Sequence, residues 1–380
     1  MKYCAVICEL NPFHNGHEYI LRRARETSGC DKVIALMSGP FVQRAVPASL
    51  SERARAECAL RCGADMVIEL PVVYASASAD AFARGAIGIL NTISDITHLV
   101  MGAESDDFQL LWRIAKVRAE NGEAFSSALK RALDGGIPYA RALTRAICTA
   151  LGEDEEETAA LLTRPNNILA ISYAQALIES GSGIKFSPVR RAEGDEYASA
   201  TSLRAAALPD MKKFMPPSAY EIFVSEAAEG MLRDYGLLTM AALRIVGAEK
   251  IALAPDCAEG FENKLASLFR TCPDFETLLK KVPTSRFTRG RIMRICLHSL
   301  LGITREMQNC GYSCSRLLGV RRDSVDMLRT LPENIIVGKR GERAIPESHL
   351  ACYAAEKRAS DVWNALARKR CDFYSELLKV

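Results

Sequence analysis

Histidine and tryptophan are scarce in this chain, 5 and 2 among 380 residues, and no charge-free apolar run reaches membrane-spanning length. The second absence excludes a helical membrane protein. The N-terminus enters a strand pattern at once, without the basic and apolar regions of a secretory signal, so a cytoplasmic location is expected. There is no internal repeat, no low-complexity segment and no Cys-x-x-Cys. The 13 cysteines are odd in number, and the closest pairs (Cys4 with Cys8, Cys58 with Cys62, Cys310 with Cys314) lack a partner pair at zinc-finger spacing. Buried reduced thiols are expected, with a structural zinc at Cys310 and Cys314 as the alternative. Net charge is only +3, yet from residue 281 to 380 Lys and Arg outnumber Asp and Glu 19 to 10, against 30 to 36 in the remainder. A basic C-terminal region behind an acidic one suggests a polyanion held mainly by the tail.

Against that scarcity, two histidines in one short turn stand out. Tyr3-Cys-Ala-Val-Ile-Cys-Glu-Leu10 is an apolar run of β-formers that reads as a buried parallel strand, and Ile20, Leu21 and Ala24 recur at helical spacing. Asn11 to His17 is therefore a tight strand-to-helix turn carrying His14-Asn-Gly-His17. It sets two imidazoles and the free N–H groups of a helix start at the carboxyl end of a strand, where open α/β sheets bind ligands and where phosphate is attracted. A nucleotide is the expected ligand; the alternative is that the histidines only cap and pack. The form H-x-G-H resembles the HIGH-type nucleotidyltransferase superfamily, in which these histidines hold the triphosphate and stabilise charge at the α-phosphorus.

Further along, strands are expected at Lys32 to Met37, Asp65 to Pro71 (broken by its proline), Thr97 to Met101 and, last in the sheet, Ile184 to Arg191. Helices are expected from Ser51 as cap to Cys62, from Ala75 to Ile93, from Phe108, Ala124 and Tyr139 onward, and after Arg164-Pro-Asn-Asn167. The alternation predicts an α/β fold, a Rossmann-like doubly wound parallel sheet, followed by a mainly α-helical C-terminal domain. Pro and Lys clusters around Leu208 to Pro217 suggest the division into a catalytic domain, 1–210, and a helical basic domain, 211–380. Ser199-Ala-Thr-Ser-Leu-Arg204 reads equally as a triphosphate clamp or as capping plus a surface arginine. Arg286, Arg289, Arg291 and Arg294 around Phe287 suit RNA, although a solvated helix start would look similar.

Glu9-Leu-Asn-Pro-Phe-His-Asn-Gly-His17, Met37-Ser-Gly-Pro-Phe-Val-Gln-Arg44, Gly63-Ala-Asp-Met-Val-Ile-Glu-Leu-Pro71, Gly102-Ala-Glu-Ser105, Arg164 to Ala170 and Ser199 to Arg204 together resemble the bacterial tRNA(Met) cytidine acetate ligase family. Mg²⁺ with the phosphates of ATP is expected on general grounds. The resemblance implies an enzyme that activates acetate with ATP as acetyl-adenylate. It then acetylates the exocyclic amine of the wobble cytidine of elongator tRNA(Met). It implies catalytic roles for His14, His17 and Arg204. The ATP site would comprise Ile7, Cys8, Glu9, Leu10, Asn11, Pro12, Phe13, His14, Asn15, Gly16, His17, Glu18, Tyr19 and Ile20, with Gly102, Asn166, Arg191, Ser199 and Thr201. Two positions depart from the family: Leu10, where an aromatic residue is usual, and Ala170, where glycine is frequent. Rival readings are a small-molecule adenylyltransferase, whose usual domain is much shorter, and a non-catalytic nucleotide- or RNA-binding protein on the same fold. No membrane or DNA partner is expected, and the oligomeric state is left open.

Overall fold

A computed structural model describes the whole chain except residues 193, 195–196, 198–199, 206–207, 229, 259, 285–286 and 375; for 200, 201, 205 and 208 it describes the backbone alone. Eight strands form the sheet: β1 Tyr3–Cys8, β2 Lys32–Ser38, β3 Met66–Leu70, β4 Ile96–Ala103, β5 Lys185–Arg190, β6 Ser315–Val320, β7 Ile335–Ile336 and β8 Leu378–Lys379. Their order is β5-β4-β1-β2-β3-β6-β7, with β8 on β6. The five N-terminal strands are parallel, in the doubly wound manner expected.

Alternation along each strand explains why both faces are covered, since successive side chains point to opposite faces. Tyr3, Ala5 and Ile7 share one face with Ile34, Leu36, Ile68 and Leu99, packed on helices Ala79–Leu90 and Pro165–Glu179. Cys4 and Val6 share the other with Val33, Ala35, Val67 and Val100, under helices Asn15–Ser28 and Glu52–Arg61. Burying one Val, Leu or Ile contributes about 1.5–3 kcal/mol, so these two layers outweigh any single polar contact.

Two sequence expectations are corrected. The helix expected from Ala75 to Ile93 is a single turn, Val72–Ala75, followed by Ala79–Leu90. The break lies at Ser76, whose hydroxyl bonds to Val72 O at 2.7 Å and to His298 Nε2 at 3.1 Å, while Ser78 begins the next helix. The sheet also does not end at β5: β6, from the basic C-terminal part, pairs antiparallel with β3, Met66 opposite Val320.

Ion pairs reinforce that seam. Buried Arg316 on β6 donates Nε to Glu69 Oε2 at 2.5 Å on β3 and Nη2 to Glu52 Oε1 at 2.5 Å, and its guanidinium stacks 3.8 Å over the Phe373 ring. Nearby Glu356 holds Val72 N–H at 2.7 Å, and burial pushes its carboxyl up to about 8. The division of the chain at residue 210 remains a proposal; along β3 and β6 the two parts share one sheet. No helix of the described residues is long and apolar enough to cross a membrane. Cys310 is exposed with Sγ 3.6 Å from Cys352 Sγ, and Cys314 Sγ lies 3.7 Å from His349 Nδ1; among the described residues no three or more such donors converge on a metal position.

Replacing Arg316 by Met would strand the buried carboxylate of Glu69 and the half-buried one of Glu52, so unfolding free energy in urea is expected to drop by about 3–5 kcal/mol. A loss below about 1 kcal/mol would contradict the role given to this seam.

Candidate active site

At the carboxyl end of β1 the chain must reverse into a helix, and the backbone shows how. Leu10 adopts φ 51°, a left-handed conformation that costs a non-glycine residue about 1–3 kcal/mol, and the Asn11–Pro12 bond is cis. His14 then caps helix Asn15–Ser28: its Nδ1 accepts Gly16 N–H at 3.1 Å, and His17 Nδ1 accepts His14 N–H at 3.2 Å. The two rings stack with centroids 3.8 Å apart. A Cβ at Gly16 would come within 2.9 Å of the His14 ring, which is why the third position of the motif is glycine.

The caps decide the chemistry of the rings. Backbone N–H groups are the donors in both bonds, so each Nδ1 carries a lone pair, and a neutral ring bears its proton on Nε2. Burial holds His14 at about 4, with Arg191 and Arg204 adding to the effect, and holds His17 well below the ordinary value, with His14 and Arg191 adding. At neutral pH the pair is therefore two uncharged Nε2–H donors beside a helix start, with Arg191 and Arg204 supplying positive charge.

These residues line a cleft of about 420 Å³ at the carboxyl ends of the strands. Ile7, Cys8, Glu9, Asn11, His14, Gly16, His17, Tyr19 and Ile20 line it, as do Gly102, Asn166, Arg191 and Arg204. Five residues of the expected ATP run do not. Leu10 and Phe13 point into the core, Pro12 is buried beside them, Asn15 donates to Lys213 O at 3.1 Å, and Glu18 faces solvent. The departure at Leu10 thus leaves the cleft wall untouched. Ala170 is buried in the core as well, so the second departure concerns packing. Ser199 and Arg286 lie outside the described residues, and Thr201 is described only as backbone of helix Ala200–Ala205.

Around β4 the cleft is braced by polar contacts. Asn166 donates Nδ2 to Glu104 Oε1 at 2.9 Å, and Arg191 reaches the same oxygen at 3.8 Å. A Cβ at Gly102 would stand 3.0 Å from Arg191 Cγ, so glycine there lets the arginine lie flat against β4. Asn167, one of the two adjacent amides, is fully buried and accepts Glu104 N–H and Ser105 N–H at 2.8 and 3.1 Å; it shapes the loop, while Asn166 lines the cleft.

The sequence did not point to Glu104, Gln43, Arg44, Phe82 and Tyr173 as cleft residues, though all line it. Gln43 and Arg44 close the motif Met37 to Arg44 and Glu104 lies within Gly102 to Ser105, the signals available for these three. Glu9 accepts Gln43 N–H at 2.7 Å, and burial pushes its carboxyl upward, opposed by that bond and by Arg204, Arg44 and Arg55. Burial also raises Cys8, to about 12, so its thiol stays protonated and is no nucleophile. The described arginines of the basic segment all have internal partners: Arg289 meets Glu276 at 3.2 Å, Arg294 pairs with Asp256, and Arg291 donates to Asp256 O at 2.8 Å.

Replacing His14 by Asn keeps a good N-cap and removes the Nε2–H donor, so stability is expected to change by less than about 1 kcal/mol. ATP affinity is expected to fall about tenfold, roughly one charge-assisted hydrogen bond, by calorimetry. Unchanged affinity would refute the donor role. Both His14 and the fully buried His298 sit at about 4 against an ordinary 6.5. Between those values the unfolded chain binds more protons than the folded one, so stability is lost as pH falls through that window. By pH 5 the loss should reach about 1–2 kcal/mol per ring, read from urea midpoints, with a smaller loss in His14→Asn. Equal midpoints at pH 7 and 5 would contradict it.

The chain is similar to known proteins over its whole length. A family model described as HIGH Nucleotidyl Transferase matches residues 1–375. Proteins named tRNA(Met) cytidine acetate ligase from Thermoanaerobacter sp. (strain X514) and Caldanaerobacter subterraneus subsp. tengcongensis are 33% and 32% identical, covering 100% of both chains. The crystal structure of Thermotoga maritima TmcAL bound with alpha-thio ATP superposes with TM-score 0.91 at 28% identity, again over 100% of both chains, and its apo form with 0.92 at 27%.

Proposed function

Because the chain belongs to the HIGH nucleotidyl transferase family, and within it to the tRNA(Met) cytidine acetate ligases, we propose the following reaction. ATP activates acetate as acetyl-adenylate, and the acetyl group then passes to the exocyclic amine of the wobble cytidine of elongator tRNA(Met), giving N4-acetylcytidine. The observation that carries this reading is the capped, uncharged His14–His17 pair at a helix start, set between Arg191 and Arg204.

In the first step an acetate oxygen attacks the α-phosphorus, the new P–O bond forms, and the bond to the β-phosphate oxygen breaks to release pyrophosphate. Acetate is already ionised at neutral pH, so no side chain need remove a proton. What the reaction asks for is alignment and donors aimed at the charge that develops on the phosphoryl oxygens. Neutral Nε2–H groups serve this well, since they donate without adding a charge that must be desolvated, while Arg204 and Arg191 neutralise the leaving phosphates. Mg²⁺ brought in with ATP would neutralise charge on its phosphates. The described residues offer no cage of three or more His, Cys, Asp or Glu donors that would hold the ion on their own.

In the second step the cytidine amine attacks the carbonyl carbon of the mixed anhydride, the C–N bond forms, and AMP leaves. The base must be unstacked to reach the cleft, which is easiest from an anticodon loop. The basic segment with Arg289, Arg291 and Arg294 is proposed to hold the RNA, consistent with the excess of Lys and Arg beyond residue 281.

His17→Ala should abolish acetate-dependent exchange of pyrophosphate into ATP while the circular dichroism spectrum is retained; an unchanged exchange rate would refute the assignment. Replacing Arg289 and Arg291 together by Ala should flatten the log–log salt dependence of tRNA binding by up to about 2 and spare the exchange reaction. Equal loss of exchange and tRNA binding would contradict a role confined to RNA.

A further inference from the structure

The cleft is divided by β1. On the β4 side stand Gly102, Asn166 and Arg191; on the β2 side stand Gln43 and Arg44. Gln43 and Arg44 also line a second pocket of about 520 Å³, whose far wall is the first turns of helix Arg289–Leu301, with Arg289, Met293 and Arg294. The two spaces therefore adjoin at Gln43 and Arg44, with the basic helix on the far side of the second.

The loop separating the two spaces is held in place. Ala45 adopts φ 55°, its carbonyl accepts the Tyr235 hydroxyl at 3.0 Å, and Trp363 Nε1 donates to Ala48 O at 2.8 Å. Gln43 N–H is fixed on Glu9 Oε1 at 2.7 Å. Glu9 and Gln43 both line the cleft, and Gln43 borders the second pocket as well.

Resting on the ligase reading, we propose that the target cytosine enters through this side pocket and is read by Glu9 and Gln43. Glu9 accepts a hydrogen from the exocyclic amine, and the Gln43 amide donates to N3 or O2 of the ring. A carboxylate accepting from cytosine N4 is the pairing that distinguishes cytosine from uracil, because uracil presents an oxygen at that position and would face the carboxylate with like polarity. As the C–N bond forms and AMP departs, one amine proton is lost, and Glu9 is the acceptor within reach. Arg44, exposed at the rim, is positioned for a flanking phosphate.

Two variants, Glu9→Gln and Gln43→Ala, test this in the full-length enzyme with three readouts: acetate-dependent pyrophosphate exchange, acetyl transfer to tRNA, and binding of anticodon stem-loops carrying C or U at the modified position. The expected result is that the ratio of transfer to exchange falls at least about 50-fold for Glu9→Gln, and that an about tenfold preference for C over U shrinks to about twofold in both variants. Transfer and exchange falling in proportion, with the C-over-U preference retained, would overturn the proposal. Absence of acetate-dependent exchange in the unaltered enzyme would instead overturn the ligase reading, and this inference with it.

Discussion

Two backbone-to-imidazole hydrogen bonds set the character of the whole site. By accepting Gly16 N–H and His14 N–H, the rings of His14 and His17 do the work of helix caps and in the same act surrender one nitrogen each. Burial then withholds the second proton. What faces the cleft is a pair of neutral donors whose direction is fixed by the helix itself, so in the proposed function local folding and phosphate recognition would be a single arrangement. Such preorganisation matters because donors that need not reorient cost nothing at the moment charge builds up on phosphorus.

That arrangement needs a rigid surround, and the structure supplies it with one guanidinium. Arg55 is fully buried and donates to the carbonyls of Glu9 and Ser38 at 2.8 Å, of Gly39 at 2.5 Å and of Leu50 at 3.2 Å. The carboxyl ends of β1 and β2 and the loop between β2 and the next helix are thereby tied to one point. Asn11 adds to the tie, its Oδ1 accepting Ser49 N–H at 2.8 Å. From the other direction, Tyr235, Trp363 and Glu356 reach in from the C-terminal helices to hold the backbone at Ala45, Ala48 and Val72. The helical part therefore serves as a brace for the loops of the sheet as well as a candidate RNA surface.

How much of this could be read in advance follows the range of the interactions. The parallel strands and the H-x-G-H turn were legible because strand alternation, helix periodicity and a rare residue type repeated within a few positions are local signals. Gly102, Asn166 and Arg191 came from the family resemblance, and each does line the cleft. By contrast, the strand Ser315–Val320 carries no alternating pattern; its place is set by Arg316 meeting Glu69 and Glu52, residues hundreds of positions away. Gln43 lines the cleft from a loop whose backbone Tyr235 and Trp363 hold at Ala45 and Ala48, and Leu10, left-handed in its backbone, is buried away from the cleft. No composition or spacing argument reaches contacts of that kind.

The central claim, that His14 and His17 meet the triphosphate as uncharged Nε2–H donors, is open to direct observation by nitrogen-15 NMR of histidine-labelled protein. At pH 7 both rings should show the spin-coupling pattern of the neutral Nε2–H form, and addition of ATP should shift their Nε2 resonances while leaving Nδ1 unprotonated. A charged imidazolium, a proton on Nδ1, or resonances indifferent to ATP would contradict the account.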